Sequence, residues 1–143
     1  MKVYFYHTQN IQYCLSKMQQ GEFPSHFLYG ACHLASSGID VVYHRSPSKE
    51  KSRLKTAIYT AWQVLTCHEH IDAVYATHYK GVELLVLLRA LGIFRKPIVV
   101  WHHQPIVTPK SKLREWGGRL FYRGMDRLIF FSQKLVDDSL HSP

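Results

Sequence analysis

Histidines placed at the ends of short apolar runs are the residues of this sequence best suited to chemistry. Five of the ten histidines stand within two residues of such an end: His7, His44, His78, His102 and His103. A neutral imidazole donates one hydrogen bond and accepts another, titrates near physiological pH and binds metal ions. If the runs are neighbouring strands of one sheet, these side chains meet at a single edge and predict a binding or catalytic site there.

The elements that position the histidines follow from the hydrophobic pattern. Strands are predicted at Val3–Tyr6, Ile39–Tyr43, Ile71–Ala76, Ile98–Trp101 and Leu128–Phe131. Helices are predicted from Ser25 to Gly38, over Leu54–Leu65, over Val82–Leu91, from Ser111, and from Ser132 to Leu140. Short strands that alternate with helices pair in parallel through right-handed crossovers, and uniformly apolar strands are covered on both faces. The predicted fold class is therefore α/β, a doubly wound, mostly parallel Rossmann-like sheet with helices on both faces.

The spacing of apolar residues also predicts how some segments pack. The helix that Ser25 is expected to cap carries an apolar face made of Phe27, Leu28, Ala31, Leu34 and Ala35. Val82–Leu91 is apolar nearly all round, which predicts a buried helix. Leu113, Trp116, Leu120 and Phe121 mark one side of the helix after Ser111. The stretch between His7 and Pro24 is polar.

The residues after the strands allow three kinds of chemistry, because ligands of such sheets bind beyond the carboxyl ends of the strands. A metal site is disfavoured, since the chain has no H-x-x-x-H or H-E-x-x-H spacing. Dinucleotide binding by a G-x-G-x-x-G loop is excluded, since the residues after the first strand, His7 to Gln12, include no glycine. The neutral donors and acceptors fit best a site for sugar hydroxyls or phosphate.

Composition and charge restrict the class of protein. The chain has 143 residues, 46% of them hydrophobic and 20% charged, which predicts one folded domain and excludes a disordered chain. No apolar run is long enough to span a membrane, and the N-terminus does not resemble a signal peptide, so a cytoplasmic protein with reduced cysteines is expected. The net charge is +8. Two windows, Arg45–Lys55 with five basic and one acidic residue and Thr108–Arg127 with six basic and two acidic, each carry a net charge of +4 and predict an anionic partner.

Four segments together resemble a known family. They are Ser25–Val41, Asp72–His78, Lys96–His103 and Asp126–Ser132, which stand in the order and spacing of family motifs. This is similar to the N-terminal half of a GT-B glycosyltransferase, of the large group four type that uses nucleotide sugars. The first loop departs from the family's pattern, because it lacks the Gly-Gly pair that admits the donor phosphates.

The resemblance implies that residues 1–143 form one Rossmann-like domain, the truncated acceptor-side half of a two-domain enzyme. The whole enzyme would transfer a sugar from a nucleoside diphosphate to a glycan or lipid-linked acceptor without a cofactor or metal. The absent C-terminal domain of the same chain would hold the donor, so this half alone is expected to be inactive. His103, six residues after Pro97, matches the family's catalytic histidine, whereas His102 points to the other face and is expected to be structural. Substrate contacts are expected from the residues that follow the strands: His7, Gln9, Asn10, Thr77, His78, Gln104, Lys110 and Ser132.

Basic residues around the helix after Ser111 predict a second binding surface, for an anionic membrane. A basic patch that would bind a membrane surface or another anion consists of Lys110, Lys112, Arg114, Arg119 and Arg123. These cations accompany Trp116, Phe121 and Tyr122, a mixture typical of helices at an anionic membrane surface. The alternative that remains open is a non-catalytic basic module that binds nucleic acid or another anionic partner; nucleic acid is disfavoured because the chain has no helix-turn-helix, zinc or RNA-binding motif.

Overall fold

The computed structural model describes residues 1–46, 52–107 and 111–140. Strands are β1 (Lys2–Tyr6), β2 (Asp40–Tyr43), β3 (Ala73–Ala76), β4 (Ile98–His102) and β5 (Arg127–Phe130). Helices are α1 (Ile11–Gln19), α2 (Arg53–Leu65), α3 (Glu83–Ala90), α4 (Lys112–Arg123) and α5 (Gln133–Leu140). Three short 3₁₀ turns, Ser25–Leu28, Ala31–His33 and Ala35–Ser37, connect α1 to β2.

The strands form one parallel sheet in the order β2-β1-β3-β4-β5. The chain leaves β1 for β2 on one side and later returns to β3 on the other, so the winding direction reverses between β1 and β3. The predicted fold class, an α/β doubly wound Rossmann-like sheet, is confirmed. At such a reversal the loops on either side diverge and leave a crevice at the carboxyl edge of the sheet.

Alternation along the strands divides the core into two layers. Tyr4, Val74, Ile98 and Val100 belong to the larger layer, which includes Val64 of α2 and Leu85 and Val86 of α3. Phe5 belongs to the smaller layer with Ile11 and Cys14 of α1 and Leu28 of the first 3₁₀ turn. Neighbouring strand residues point to opposite faces, so each strand end presents one side chain to each layer.

The segment from His7 to Gly38 differs most from expectation. The polar stretch after His7 contains α1, which Asn10 caps by accepting a 3.1 Å hydrogen bond from the Tyr13 amide. The helix predicted from Ser25 to Gly38 is wrong: Ser25 does not cap it, and the chain forms 3₁₀ turns instead. Tyr29, Gly30 and Gly38 all have positive φ, a conformation that interrupts a right-handed helix each time it occurs.

The helices of the larger layer expose more apolar surface than the pattern indicates. The expectation that Val82–Leu91 is buried is wrong, since α3 buries Leu85 and Val86 but leaves Leu87 exposed, as is Leu91 directly after the helix. In α4, Phe121 packs against the core, whereas Leu113 and Trp116 are 77% and 65% exposed. None of the described helices has the length and apolar character to cross a bilayer.

Candidate functional site

His103 lies at the carboxyl end of β4 with one ring nitrogen fixed by the backbone of β3. Its Nε2 is 2.7 Å from the Thr77 carbonyl oxygen. A carbonyl only accepts hydrogen bonds, so Nε2 donates and carries the proton of the neutral ring. Nδ1 is left as a hydrogen-bond acceptor. The fold therefore presents Nδ1 of His103 as a hydrogen-bond acceptor for a ligand hydroxyl.

His78 and His7 supply the opposite polarity at the same edge. The Nδ1 of His78 accepts a 2.9 Å hydrogen bond from the Lys80 amide, and the Nδ1 of His7 accepts a 3.0 Å bond from the Gln9 amide. Each neutral ring then carries its proton on Nε2 and donates from there. The ring of His78 stacks on that of His103 with 5.0 Å between centroids. A donor and an acceptor thus stand side by side, a suitable arrangement for a hydroxyl group.

His78 and His7 are held in the neutral form. Burial lowers the pKa of His78 to about 4, and the neighbouring His103 adds to the effect. Burial also lowers the pKa of His7. At neutral pH these two rings are therefore uncharged donors, which bind hydroxyls without attracting a counter-ion.

His102 faces the opposite layer and has both ring nitrogens occupied. Its Nδ1 donates to the Gln104 carbonyl at 2.6 Å, and its Nε2 accepts from the Tyr122 hydroxyl of α4 at 3.0 Å. The residue is 4% exposed. It ties the end of β4 to α4 and has no nitrogen left for a ligand.

His44, the remaining histidine of the predicted set, lies beneath α2 rather than in the crevice. It is 2% exposed, and burial lowers its pKa to about 4. Its Nδ1 lies 3.0 Å from the Tyr4 hydroxyl, which itself donates to Gln63 of α2. His44 therefore fastens the sheet to α2.

An aromatic pocket of about 500 Å³ opens beside His103. It is lined by His26, Phe27, Tyr29, Gly30, Trp101 and Phe131. The ring centroid of Phe131 lies 4.8 Å from the ring centroids of both Trp101 and His103. The ring centroids of Tyr29 and His103 are 5.9 Å apart. Ring faces thus adjoin the polar edge directly, with Phe131 still 52% exposed.

Hydrogen bonds within the wall of the aromatic pocket fix these rings. The Trp101 indole N–H donates to the Tyr75 hydroxyl, which donates to the Tyr29 carbonyl at 2.7 Å. Tyr29 is the one non-glycine residue of the described chain with a positive φ, 50°. A left-handed tyrosine costs free energy and persists where its surroundings hold it, a condition common at binding sites. Because the polar atoms of the wall bond one another, the pocket offers mainly apolar ring faces.

The remaining predicted substrate residues have local roles in the structure. The Gln9 amide oxygen lies 3.8 Å from the Cys14 sulfur, and the Asn10 side chain caps α1. The backbone carbonyl of Gln104 accepts a hydrogen bond from His102. Ser132 caps α5 by accepting from the Leu135 amide at 3.4 Å. Lys110 lies outside the described residues, whereas the other four cations of its predicted set are exposed on α4.

The aromatic residues of the pocket were missed by the sequence interpretation. Tyr75, Trp101 and Phe131 stand on β3, on β4 and directly after β5, all at positions that face the smaller layer. Aromatic side chains at same-face positions of neighbouring strands are a signal that strand alternation alone reveals. Tyr29 was hidden because its position depends on a 3₁₀ turn that no periodicity predicts.

Within residues 1–46, 52–107 and 111–140, no three His, Cys, Asp or Glu side chains are grouped to hold a metal ion. Comparison with protein-family models, with characterised proteins and with solved structures gives no match to this chain. The site is therefore interpreted from its own geometry.

Proposed function

We propose that this chain is the acceptor-binding domain of a nucleotide-sugar-dependent glycosyltransferase. The observation that carries the proposal is the junction of the aromatic pocket with the histidine edge, where ring faces meet a donor and an acceptor nitrogen. The donor, a nucleoside-diphosphate sugar, would be bound mainly by a second domain. The expected acceptor is a glycan or a lipid-linked glycan.

A sugar ring has the two surfaces that such a junction recognises. The C–H bonds on one face of a pyranose pack against the electron-rich face of an aromatic ring, and its hydroxyls exchange hydrogen bonds in the ring plane. Trp101 and Phe131 offer the ring faces, and His103 and His78 offer an acceptor and a donor. In the enzyme, Nδ1 of His103 would orient the acceptor hydroxyl or the sugar that is transferred.

Binding of saccharides to the 143-residue chain tests the acceptor site without the second domain. We expect glycan-array or saturation-transfer measurements to detect binding, and Phe131→Ala and Trp101→Ala to weaken it at least tenfold through lost ring contacts, about 1.4 kcal/mol. Trp116→Ala is the matched control because Trp116 is an exposed tryptophan on α4, outside the aromatic pocket.

The alternative of a basic binding module gives a different result. Such a module would bind single-stranded oligonucleotides with an affinity that falls steeply with salt concentration. Oligonucleotide binding without saccharide binding, unchanged by Trp101→Ala, would overturn the proposal.

We also propose that α4 rests on an anionic membrane surface, which would place the protein peripherally on the cytoplasmic face. Leu113 and Trp116 are exposed in the first two turns of α4, and Lys112 and Arg114 alternate with them. Interfacial helices combine exposed apolar side chains with flanking cations in this way, and each cation near an anionic surface contributes about 1 kcal/mol.

Sedimentation with vesicles of phosphatidylcholine, with or without phosphatidylglycerol, tests this second proposal. Selective sedimentation with the anionic vesicles is expected, with a loss in Lys112→Glu/Arg114→Glu and not in the distant pair Arg95→Glu/Lys96→Glu. Equal binding to both kinds of vesicle, or equal losses in the two variants, would contradict it.

A further inference from the structure

Helix α2 turns its large apolar side chains away from the protein. Leu54, Ile58, Trp62 and Leu65 are 69%, 50%, 66% and 54% exposed, and together they form what we call the outer stripe. The side chains that α2 buries are small or medium-sized: Ala57, Thr60, Ala61 and Val64. Spacings of four, four and three residues place the outer stripe along one face, over about 16 Å of helix.

The charges of α2 are confined to its N-terminal end. Arg53 and Lys55 are its only charged residues, and no acidic residue stands in the first turn or basic residue in the last. This is the reverse of the distribution that favours an isolated helix, whose N-terminus carries positive and whose C-terminus carries negative partial charge. Beyond the C-terminal end comes Glu69, a 56% exposed side chain that contacts Lys2. An antiparallel copy of the same helix would bring each basic end to a negative end.

We propose that α2 is a homodimer interface, in which two copies of this chain pack their outer stripes against each other across a two-fold axis. With the axis near the middle of α2, Leu54 meets the partner's Leu65, and Ile58 meets the partner's Trp62. Lys55 reaches toward the partner's Glu69. A two-fold contact of this kind is self-complementary, so one stripe with opposite charges at its two ends satisfies both copies.

The residue types of the outer stripe and its flanks fit a dimer better than a lipid surface. Four such side chains expose on the order of 400 Å², about half of what a stable interface buries on each partner. Leu87 of α3 and Leu91, directly after that helix, are 38% and 57% exposed, and α3 packs beside α2. A helix that lies on lipid carries cations along its flanks, whereas α2 has no charged residue from Thr56 to its end.

Sedimentation equilibrium of the 143-residue protein over a wide concentration range tests the inference. The wild type is expected to form dimers, and Trp62→Glu is expected to weaken dimerisation at least a hundredfold, since it buries a carboxylate among apolar groups. The matched control is Trp116→Glu, because the two tryptophans have nearly equal exposure, 66% and 65%, on different helices. Circular dichroism establishes that both variants are folded.

A charge exchange tests the antiparallel arrangement. Lys55→Glu is expected to weaken the dimer several-fold, and the double variant Lys55→Glu/Glu69→Lys to restore it. A monomeric wild type at every concentration, an equal effect of Trp116→Glu, or no restoration by the double variant would each overturn the proposed interface.

Discussion

Single residues of the site owe their orientation to backbone groups of neighbouring strands and loops. The Thr77 carbonyl fixes His103, and the amides of Lys80 and Gln9 fix His78 and His7. The backbone thus decides which ring nitrogen faces a ligand. A substitution at one of these histidines removes a positioned hydrogen bond, and its effect on binding or rate separates from its effect on folding.

His103 is expected to affect turnover in an enzyme that joins this domain to a nucleotide-sugar domain. His103→Ala should lower turnover by roughly 10²-fold, the usual scale for the loss of one positioned catalytic contact. Product formation measured with saturating donor checks this. The free energy of unfolding should change little, because His103 is half-buried and makes one backbone hydrogen bond.

His102→Ala is the comparison and should have the opposite profile. It removes a buried ring and leaves the Tyr122 hydroxyl and the Gln104 carbonyl without their partner. A loss of about 3 kcal/mol in the free energy of unfolding is expected, with turnover retained by the folded fraction. Normal turnover in both variants, or a loss only in folded His102→Ala, would contradict the assignment of roles.

At the scale of the elements, the strands were predictable and the helix orientations were not. Each strand is a short apolar run between turn residues, and the structure places all five within a few residues of the predicted bounds. Helix α2 shows the limit. It has two apolar stripes, and spacing alone does not reveal that the one made of Ala57, Ala61 and Val64 faces the sheet. Close packing against α3 and the sheet selects the smaller side chains.

Close approach of α3 and α4 predicts opposite effects for two glycines. A Cβ on Gly124, which follows α4, would lie 2.0 Å from the Val86 carbonyl oxygen of α3, so the backbones must move apart. Gly124→Ala is therefore expected to lower the free energy of unfolding by more than about 2 kcal/mol. Urea denaturation followed by tryptophan fluorescence measures the change.

Gly117→Ala, within α4, is the matched control. A Cβ there meets no atom within 4 Å. Alanine should stabilise the protein by about 0.5–1 kcal/mol, because it restricts the unfolded chain and favours helix. A Gly124→Ala variant as stable as Gly117→Ala would show that the α3–α4 contact is looser than the structure indicates.

For the whole molecule, the fold class and the histidine edge could be predicted from the sequence, but the strand order and the aromatic pocket could not. Alternating strands and helices predict parallel strands, whose carboxyl ends share one edge, and the structure brings His7, His78 and His103 together at that edge. The aromatic pocket depends on the 3₁₀ segment and on the left-handed Tyr29, whose conformation is fixed by a contact with Tyr75, 46 residues away. Contacts so distant in sequence leave no periodic pattern.

Several buried histidines make the stability of the whole molecule depend on pH. Burial lowers the pKa values of His7, His44, His78 and His102 below 6.5. Between pH 6.5 and the lowered values, the unfolded chain binds more protons than the native protein. The free energy of unfolding therefore falls as the pH decreases through this window. The protein keeps its full stability with respect to these histidines only above about pH 6.5.

His44 should account for a measurable share of that loss, because it is 2% exposed and its pKa is about 4. On the order of 2–3 kcal/mol of stability should disappear between pH 7 and pH 4 through this residue. His44→Gln keeps a polar partner for Tyr4 but does not titrate. Between pH 7 and pH 4 its free energy of unfolding, measured by urea denaturation, should therefore fall less than that of the wild type, and the difference should equal the share of His44. His33→Gln, at an exposed position, should follow the wild type. Parallel pH profiles for the wild type and His44→Gln would mean that the native protein accepts a charge on His44, which the hydrogen bond to Tyr4 and the enclosure beneath α2 argue against.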